Sequence, residues 1–196
     1  MYTINEEYKV TQIINKSTFI CYLFPVETPE EAMEKINQIR KIHYDATHNC
    51  YAMITGTDII SARSSDDGEP SKTAGIPIYE VLNKNNLTNI LAIVTRYFGG
   101  VKLGAGGLIR AYSGSCALAL KEAKLIKIEK KITIQLSFSY TYVNEINKLF
   151  SGQIEISKDY GTFVTYTYSI LEEDLDKFSK EVTSLTNGQS EVKVIG

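Results

Sequence analysis

The densest run of glycine in the chain lies between charged residues. Of the 13 glycines, five fall within residues 99–107. Glycine permits positive φ and lets another backbone or a phosphate approach closely. An apolar run precedes the segment and a helical pattern follows it, so we predict a loop that joins a strand to a helix. Its glycines are Gly99, Gly100, Gly104, Gly106 and Gly107.

Cations flank this glycine-rich loop. Arg96 precedes it, Lys102 lies inside it and Arg110 follows it on the predicted helix. The first N–H groups of a helix are unpaired and lie at the positive end of its dipole. An anion is therefore attracted to that end. The sequence predicts a site for phosphate or carboxylate, with four further candidate residues upstream or adjacent: His48, Arg63, Lys72 and Tyr97.

An acidic loop upstream supplies a structural alternative. Asp66, Asp67 and Glu69 could pair with the arginines, in which case the glycines would only permit a tight crossover. Residues 63–110 contain 6 Lys/Arg and 4 Asp/Glu, and this modest positive excess favours the anion site. Carboxylates in such a turn could also bind a hard cation such as Mg²⁺. We expect neither a metal nor another cofactor, because acids in such turns are more often solvated or paired.

Two residue pairs near these blocks have alternative interpretations. His48 and Cys50 fall on one face of a strand and could form a zinc pair or a thiol nucleophile with its base. Two ligands do not make a structural zinc site, so we expect a buried thiol and a hydrogen-bonded histidine. Tyr97 and Phe98, beside Arg96, could stack on bases as in single-strand binders. At the end of a central strand, however, aromatic residues usually belong to the core.

Overall composition limits the protein classes. The chain has 196 residues and a formal net charge of −2, so it lacks a general cationic field and any nucleic-acid contact must come from a local patch. Three widely spaced cysteines indicate a reducing compartment without a disulfide framework. The first ten residues have no signal-like apolar run, and no later segment is long enough to span a membrane. We expect a cytoplasmic protein that does not enter a membrane.

Capping residues and apolar runs predict the elements that frame the loop. Residues 18–24 read as a strand. Thr28, followed by Pro29 and Glu31, predicts the start of a helix with a capping box. The nearly continuous apolar run at residues 87–95 predicts a buried central strand.

The remaining elements of the first part are less regular. Residues 50–55 and 58–62, joined by Gly-Thr, predict a hairpin. A short helix is predicted up to about Asn83, with Pro77 tolerated only in its first turn. From Leu108 the pattern predicts a long helix.

Beyond Lys130 the pattern starts again in the order βαββαβ, a ferredoxin-like arrangement. Residues 1–130 contain 15 Lys/Arg and 14 Asp/Glu, whereas residues 131–196 contain 6 and 9, so the charge also changes at this boundary. We therefore predict two domains, 1–130 and 131–196. The elements of the second are predicted as strand 131–140, helix 143–150, strands 153–158 and 161–170, helix 171–186 and strand 191–195.

Three blocks carry a resemblance to a known family. They are residues 46–52 (Ala-Thr-His-Asn-Cys-Tyr-Ala), residues 66–75, which include the acidic loop, and residues 96–112, which include the glycine-rich loop. In order and spacing they resemble the signature of the IMPACT family, in its bacterial YigZ-like branch, over roughly residues 15–125. One departure is Lys72, which stands where the family usually has glycine.

The resemblance implies an α+β protein of two domains. The first would share the fold of elongation factor G domain IV and of the second domain of a small-subunit ribosomal protein. The second would be ferredoxin-like, as in elongation factor G domain V. Both comparisons point toward RNA, so we expect a non-enzymatic protein associated with RNA or the ribosome, linked to translation. The oligomeric state is not predicted.

Two other functional classes stay open at this stage. One is a phosphate- or nucleotide-binding enzyme, because small-molecule kinases of the same superfold also place a glycine loop before a helix. The other is a protein-interaction module that recognises an acidic partner. In that case an open face of the second domain's sheet would contribute Phe138, Tyr140, Phe163, Thr165 and Thr167.

Overall fold

Backbone contacts separate the chain into two units. In the computed structural model, which describes residues 1–195, these units are Met1–Ile128 and Glu129–Gly196. The boundary predicted from the sequence, near Lys130, lies beside this division. Within residues 1–195, no helix has both the length and the apolar character needed to cross a membrane.

The first unit contains seven strands and three helices among its described residues. In chain order they are β1 Tyr2–Ile4, β2 Tyr8–Ile14, β3 Ser17–Pro25, α1 Pro29–Ile42, β4 His48–Thr55, β5 Ser61–Ser65, α2 Gly75–Lys84, β6 Ile90–Tyr97, α3 Gly104–Glu122 and β7 Leu125–Lys127.

A five-stranded antiparallel sheet forms the centre of the first unit, in the order β2-β3-β6-β4-β5. Side chains alternate between its faces along each strand. On one face Phe24 and Leu91 pack with Ile36 of α1. On the other, Phe19 packs with residues of α2 and α3, including Tyr112. The central strand β6 is buried on both faces, which explains its continuous apolar run.

Local sequence signals located several of these elements. Thr28 caps α1 through a hydrogen bond that its Oγ1 accepts from Glu31 N at 3.2 Å, and Glu31 Oε2 accepts from Glu27 N at 2.8 Å. The predicted capped helix is therefore confirmed. Pro77 lies in the first turn of α2, as expected, because a proline there removes no intrahelical hydrogen bond.

Three expectations for the first unit were incomplete or wrong. β4 and β5 form the predicted hairpin, but residues 56–60 connect them rather than two residues. The helix after the glycine-rich loop begins at Gly104 and not at Leu108, so three of the loop glycines belong to its first turn. Strands β1 and β7 pair in a small second sheet, which was not foreseen because each is only three residues long.

The second unit has the predicted βαββαβ order of elements. They are β8 Lys131–Phe138, α4 Val143–Leu149, β9 Ile154–Tyr160, β10 Val164–Leu171, α5 Leu175–Leu185 and β11 Val192–Val194. The strands form an antiparallel sheet in the order β11-β8-β10-β9.

One face of this sheet is polar. Phe138 is opposite Val164 in the register of β8 and β10, and both are buried in the apolar cluster. The neighbouring pair, Ser137 and Thr165, lies on the other face and is joined by a hydroxyl hydrogen bond of 2.8 Å. The expectation that Phe138 shares an open face with Thr165 is wrong, because adjacent residues of a strand point to opposite faces.

Separate expression of the two units tests whether each folds alone. Met1–Ile128 has two apolar clusters around a five-stranded sheet and should unfold cooperatively. Glu129–Gly196 has one cluster, and a domain of this size rarely exceeds about 3–5 kcal/mol of stability. Urea unfolding followed by circular dichroism measures both. A first fragment without a cooperative transition would contradict the expectation.

Candidate anion-binding site

The turn after β6 brings the glycine-rich loop against the β2–β3 turn. Gly99 N donates a hydrogen bond to Ser17 Oγ at 3.2 Å. A Cβ on Gly99 would collide with the backbone carbonyl of Lys16, so only glycine fits there. Gly104 begins α3 with a φ of +69°, in the left-handed region that favours glycine. Gly99 and Gly104 therefore have structural roles, whatever binds in front of them.

A cavity of about 430 Å³ opens between the ends of β4 and β6 and the start of α3. Four residues predicted for the anion site line it, together with one acid of the acidic loop. These are His48, Arg96, Lys102, Gly104 and Glu69. The other lining residues, not among the predicted site residues, are Thr47, Pro70, Phe98, Leu103, Ala105 and Leu108.

Arg96 is buried at the floor of this cavity and is paired within the fold. Its Nη1 donates to Glu69 Oε1 at 2.6 Å, and the Tyr112 hydroxyl donates to the same oxygen at 2.7 Å. The guanidinium lies between the rings of Phe19 and Phe98, with its carbon 5.6 and 5.4 Å from their centroids. Its Nε is buried without a hydrogen-bond partner among residues 1–195. The charge of Arg96 is thus already balanced by Glu69.

His48 faces the same carboxylate from β4. Its Nδ1 is 2.8 Å from the carbonyl oxygen of Asp67, and its Nε2 is 3.8 Å from Glu69 Oε2. A carbonyl oxygen only accepts, so Nδ1 carries a proton and donates it. The first contact holds the imidazole ring in place. The second is longer than a hydrogen bond.

Cys50 and Tyr112, beside this group, are poor candidates for reactive groups. Burial raises the pKa of the Cys50 thiol far above its usual value, and the thiol donates to the Asp66 carbonyl at 3.0 Å. Burial likewise raises the pKa of Tyr112, so the phenol keeps its proton and donates it to Glu69. A thiolate nucleophile next to His48 is disfavoured for this reason.

The acidic loop is held together by its own hydrogen bonds. The Asp66 carboxylate accepts from the backbone N–H groups of Lys72, Ala74 and Gly75 at 2.8, 3.0 and 2.8 Å, and so caps the start of α2. Partial burial acts to raise the pKa of Asp66, but the hydrogen bonds from Gly75, Lys72 and Ala74 together lower it. Asp66 is thus a structural carboxylate.

Asp67 ties the acidic loop to two other elements. It accepts from Arg40 Nη2 and from Asn49 N, both at 2.7 Å. The structural alternative therefore holds for Glu69 and Arg96, whereas Asp67 pairs with Arg40 of α1 and Asp66 accepts from backbone N–H groups. No group of three or more His, Cys, Asp or Glu side chains within residues 1–195 is arranged to hold a metal ion.

Two predicted site residues lie on the opposite face of the sheet. Arg63 is opposite Met53 in the β4–β5 register, and Met53 packs on the α1 side. The Tyr97 hydroxyl contacts His43 Nδ1 at 2.8 Å and Asp45 Oδ1 at 3.1 Å, away from the cavity. Strand alternation places Arg96 toward the cavity and Tyr97 away from it.

The remaining candidates do not line the cavity. Arg110 is exposed on α3, one turn beyond Gly106, and a Cβ on Gly106 would lie 3.5 Å from Arg110 Nη1. Lys72 is exposed and has a φ of +63°, in the left-handed region that favours glycine. This backbone conformation accounts for the glycine that is usual at this position in the family that the chain resembles. Gly100, with a φ of +82°, and Gly107, beside Leu103, complete the loop.

Phe98 lines the cavity but is not among the residues predicted for the anion site. The residue is 47% exposed and lines the cavity. The sequence offers both Tyr97 and Phe98 as residues that could stack on bases. They differ in which face of the sheet they occupy, and only Phe98 lies on the side of the cavity.

Comparison with known proteins places the chain in a family. The Impact N-terminal domain model matches residues 15–120. IMPACT family member YvyE of Bacillus subtilis is 41% identical over 194 residues, which cover 98% of this chain and 89% of that protein. The chain belongs to the IMPACT family. The predicted resemblance is confirmed.

Other family members match over a similar length. IMPACT family member YigZ of Escherichia coli is 32% identical over 191 residues, covering 95% of this chain and 93% of that one. A crystal structure described as that of a hypothetical protein is 30% identical with a TM-score of 0.65, and covers 100% of this chain and 97% of the other. The likeness therefore extends over both units.

Removal of the Glu69 carboxylate should strongly destabilise the first unit. Glu69→Ala leaves Arg96 buried without its partner, and such a loss typically costs about 3–5 kcal/mol. Glu69→Gln keeps an acceptor and should lose less. Urea unfolding at pH 7 measures the change, with Glu80→Ala on the exposed side of α2 as the matched control. A Glu69→Ala variant within about 1 kcal/mol of wild type would show that the pair is not structurally important.

The Asp66 cap should make stability depend on pH. Because the folded pKa of Asp66 is lower than the unfolded value of about 3.9, its contribution is present above that pH and is lost as pH falls through the folded pKa. Asp66→Asn should lose about 1–2 kcal/mol at pH 7 and show less acid dependence. Urea unfolding at pH 7 and below pH 4 measures this. Asp159→Asn, exposed in the second unit, is the control, and an unchanged acid profile in Asp66→Asn would refute the assignment.

Proposed function

We propose that this protein binds RNA, free or within the ribosome, through the cavity at the start of α3, and that it serves translation as a non-enzymatic regulator. One observation carries the proposal. The first turn of α3, the Lys102 side chain and the exposed ring of Phe98 line the same cavity. A nucleotide offers a phosphate for the first two and a base for the third.

The start of α3 suits a phosphate. The helix has 19 residues, its first turn contains no acidic residue, and the side chain of its N-cap residue, Leu103, accepts no hydrogen bond from it. Its first N–H groups therefore lack intrahelical partners and attract an anion. Lys102 is exposed at the cavity, and Arg110 lies one turn further along the helix. These cations add attraction that depends on salt.

The exposed ring of Phe98 suits a base. It stands over the Arg96 guanidinium, which is fixed by Glu69, so the ring has a rigid support. Stacking of a base on such an aromatic side chain contributes about 1–3 kcal/mol and tolerates any sequence. A phosphate site beside an aromatic ring is more specific to a nucleic acid than either feature alone.

The floor of the cavity does not oppose an anion. Glu69 carries a negative charge there, but Arg96 balances it at 2.6 Å. Lys102 and the helix dipole thus determine the local sign of the potential. We assign Arg96 a supporting role in RNA binding, through Glu69 and Phe98, and assign the phosphate contacts to Lys102 and Arg110.

The family resemblance supports the same class of partner. It implies a first domain like elongation factor G domain IV and the second domain of a small-subunit ribosomal protein, and a ferredoxin-like second domain. The antiparallel βαββαβ sheet of the second unit is compatible with that arrangement. A likeness of fold does not establish a function. The proposal therefore depends on the chemistry of the cavity.

Lys102→Ala and Arg110→Ala should each weaken RNA binding and its salt dependence. Each lost phosphate contact reduces the slope of log affinity against log salt by about 0.7 for single strands. Fluorescence anisotropy with a labelled single-stranded RNA, across a KCl series, measures both quantities. Lys121→Ala is the matched control, because Lys121 is exposed in the last turn of the same helix.

Phe98→Ala separates the base contact from the phosphate contacts in the same assay. It should lower the affinity while leaving the salt slope unchanged, because it removes no charge. The proposed function is wrong if wild-type protein binds no RNA, or if the Lys102 and Arg110 variants keep the wild-type affinity and slope. Tighter binding of an acidic peptide than of RNA would favour the protein-interaction alternative.

A further inference from the structure

Two polar atoms, His48 Nε2 and Glu69 Oε2, face each other across the floor of the cavity. His48 Nδ1 donates to the Asp67 carbonyl at 2.8 Å. In the neutral imidazole, Nε2 then presents a lone pair. Nε2 is 3.8 Å from Glu69 Oε2, and both residues line the cavity. We call the space between these two atoms the His48–Glu69 slot.

The slot is suited to a group that donates a proton. Glu69 Oε1 already accepts from Arg96 at 2.6 Å and from Tyr112 at 2.7 Å, whereas Oε2 faces His48. Two acceptors at this separation do not bond to each other, but a donor placed beside them can bond to either. Glu69 is buried, so a donor that satisfies Oε2 gains more than it would at an exposed carboxylate.

The charge balance favours a neutral donor over a cation. Arg96 already compensates Glu69, and Lys102 lines the same cavity. A second ammonium or guanidinium group would therefore meet an environment that is not negative overall. A hydroxyl group carries a proton to donate and brings no charge.

We propose that the His48–Glu69 slot receives a ribose 2′-hydroxyl and that the site thereby selects RNA over DNA. The inference rests on the proposed function, because it assumes a polynucleotide whose phosphate lies at the first turn of α3. The slot and that turn line the same cavity of about 430 Å³. The 2′-hydroxyl is the group by which a protein distinguishes RNA from DNA at a given site.

Three labelled oligonucleotides of one sequence test the proposal on the whole 196-residue chain. They are RNA, DNA and 2′-fluoro RNA, which keeps an RNA-like sugar conformation but has no hydroxyl proton. Wild-type protein should bind RNA roughly three- to ten-fold more tightly than either of the others, as expected for one net hydrogen bond. Fluorescence anisotropy at constant salt measures the three affinities.

A substitution at His48 should weaken the preference for RNA. His48→Asn keeps an amide donor near the position of Nδ1, facing the Asp67 carbonyl, and removes Nε2. The RNA-to-DNA affinity ratio should fall, because only Glu69 Oε2 then remains to accept from the 2′-hydroxyl. His43→Asn is the matched control, because His43 lies between Tyr22 and Tyr97 and does not line the cavity. It should keep the wild-type ratio.

The outcomes separate the slot from the proposed function. Equal binding of RNA and DNA, or of RNA and 2′-fluoro RNA, would overturn the slot and leave RNA binding intact. A His48→Asn variant with the full RNA preference would also overturn it. Failure of wild-type protein to bind either polymer would overturn both proposals. The 2′-fluoro comparison uses wild-type protein, so it decides the matter even if His48→Asn does not fold.

Discussion

The buried ion pair between Glu69 and Arg96 is the constraint on which the rest of the site depends. A buried carboxylate is tolerated only when it is paired and hydrogen-bonded. Glu69 meets that condition through Arg96 on β6 and Tyr112 on α3. The pair therefore joins the acidic loop to the central strand and to the long helix. Because Arg96 also supports the Phe98 ring, the same contact sets the shape of the cavity floor.

The neighbouring acids extend this constraint through the first unit. Asp66 caps α2, and Asp67 bonds to Arg40 of α1 and to the backbone of Asn49 on β4. Each acid of the loop thus has a different structural partner. His48 is positioned by the Asp67 carbonyl, so its orientation follows from the acidic loop. The acidic loop thus holds the residues at the floor of the cavity in place and does not cover the N-terminus of α3.

The arginine and the lysine of the cavity differ in what their charged groups can contact. The planar guanidinium of Arg96 offers several donors and two faces, so it can bond to Glu69 while lying between Phe19 and Phe98. Lys102 is exposed, and its ammonium group can follow a mobile phosphate. A count of the cations near the glycines does not distinguish Arg96 from Lys102, since arginine and lysine each contribute one positive charge.

Sequence alone determined the features that depend on near neighbours. The capping box at Thr28, the buried strand β6, the glycine-rich turn and the βαββαβ order follow from residue types within one element. The family signature located the acidic and glycine-rich blocks and identified the family. Such signals are local because caps, turns and side-chain alternation are set by residues a few positions apart.

Tertiary structure alone decided which charges stay available. Arg96 and Glu69 are 27 residues apart, and nothing in their spacing selects this pair over Arg96 with Asp66 or Asp67. Which of Phe98 and Tyr97 lines the cavity depends on which face of the sheet α3 covers, and so does the absence of Arg63 from the lining. Pairing of distant charges and burial of a sheet face are set by packing between elements, and the order of residues along the chain does not contain that information directly.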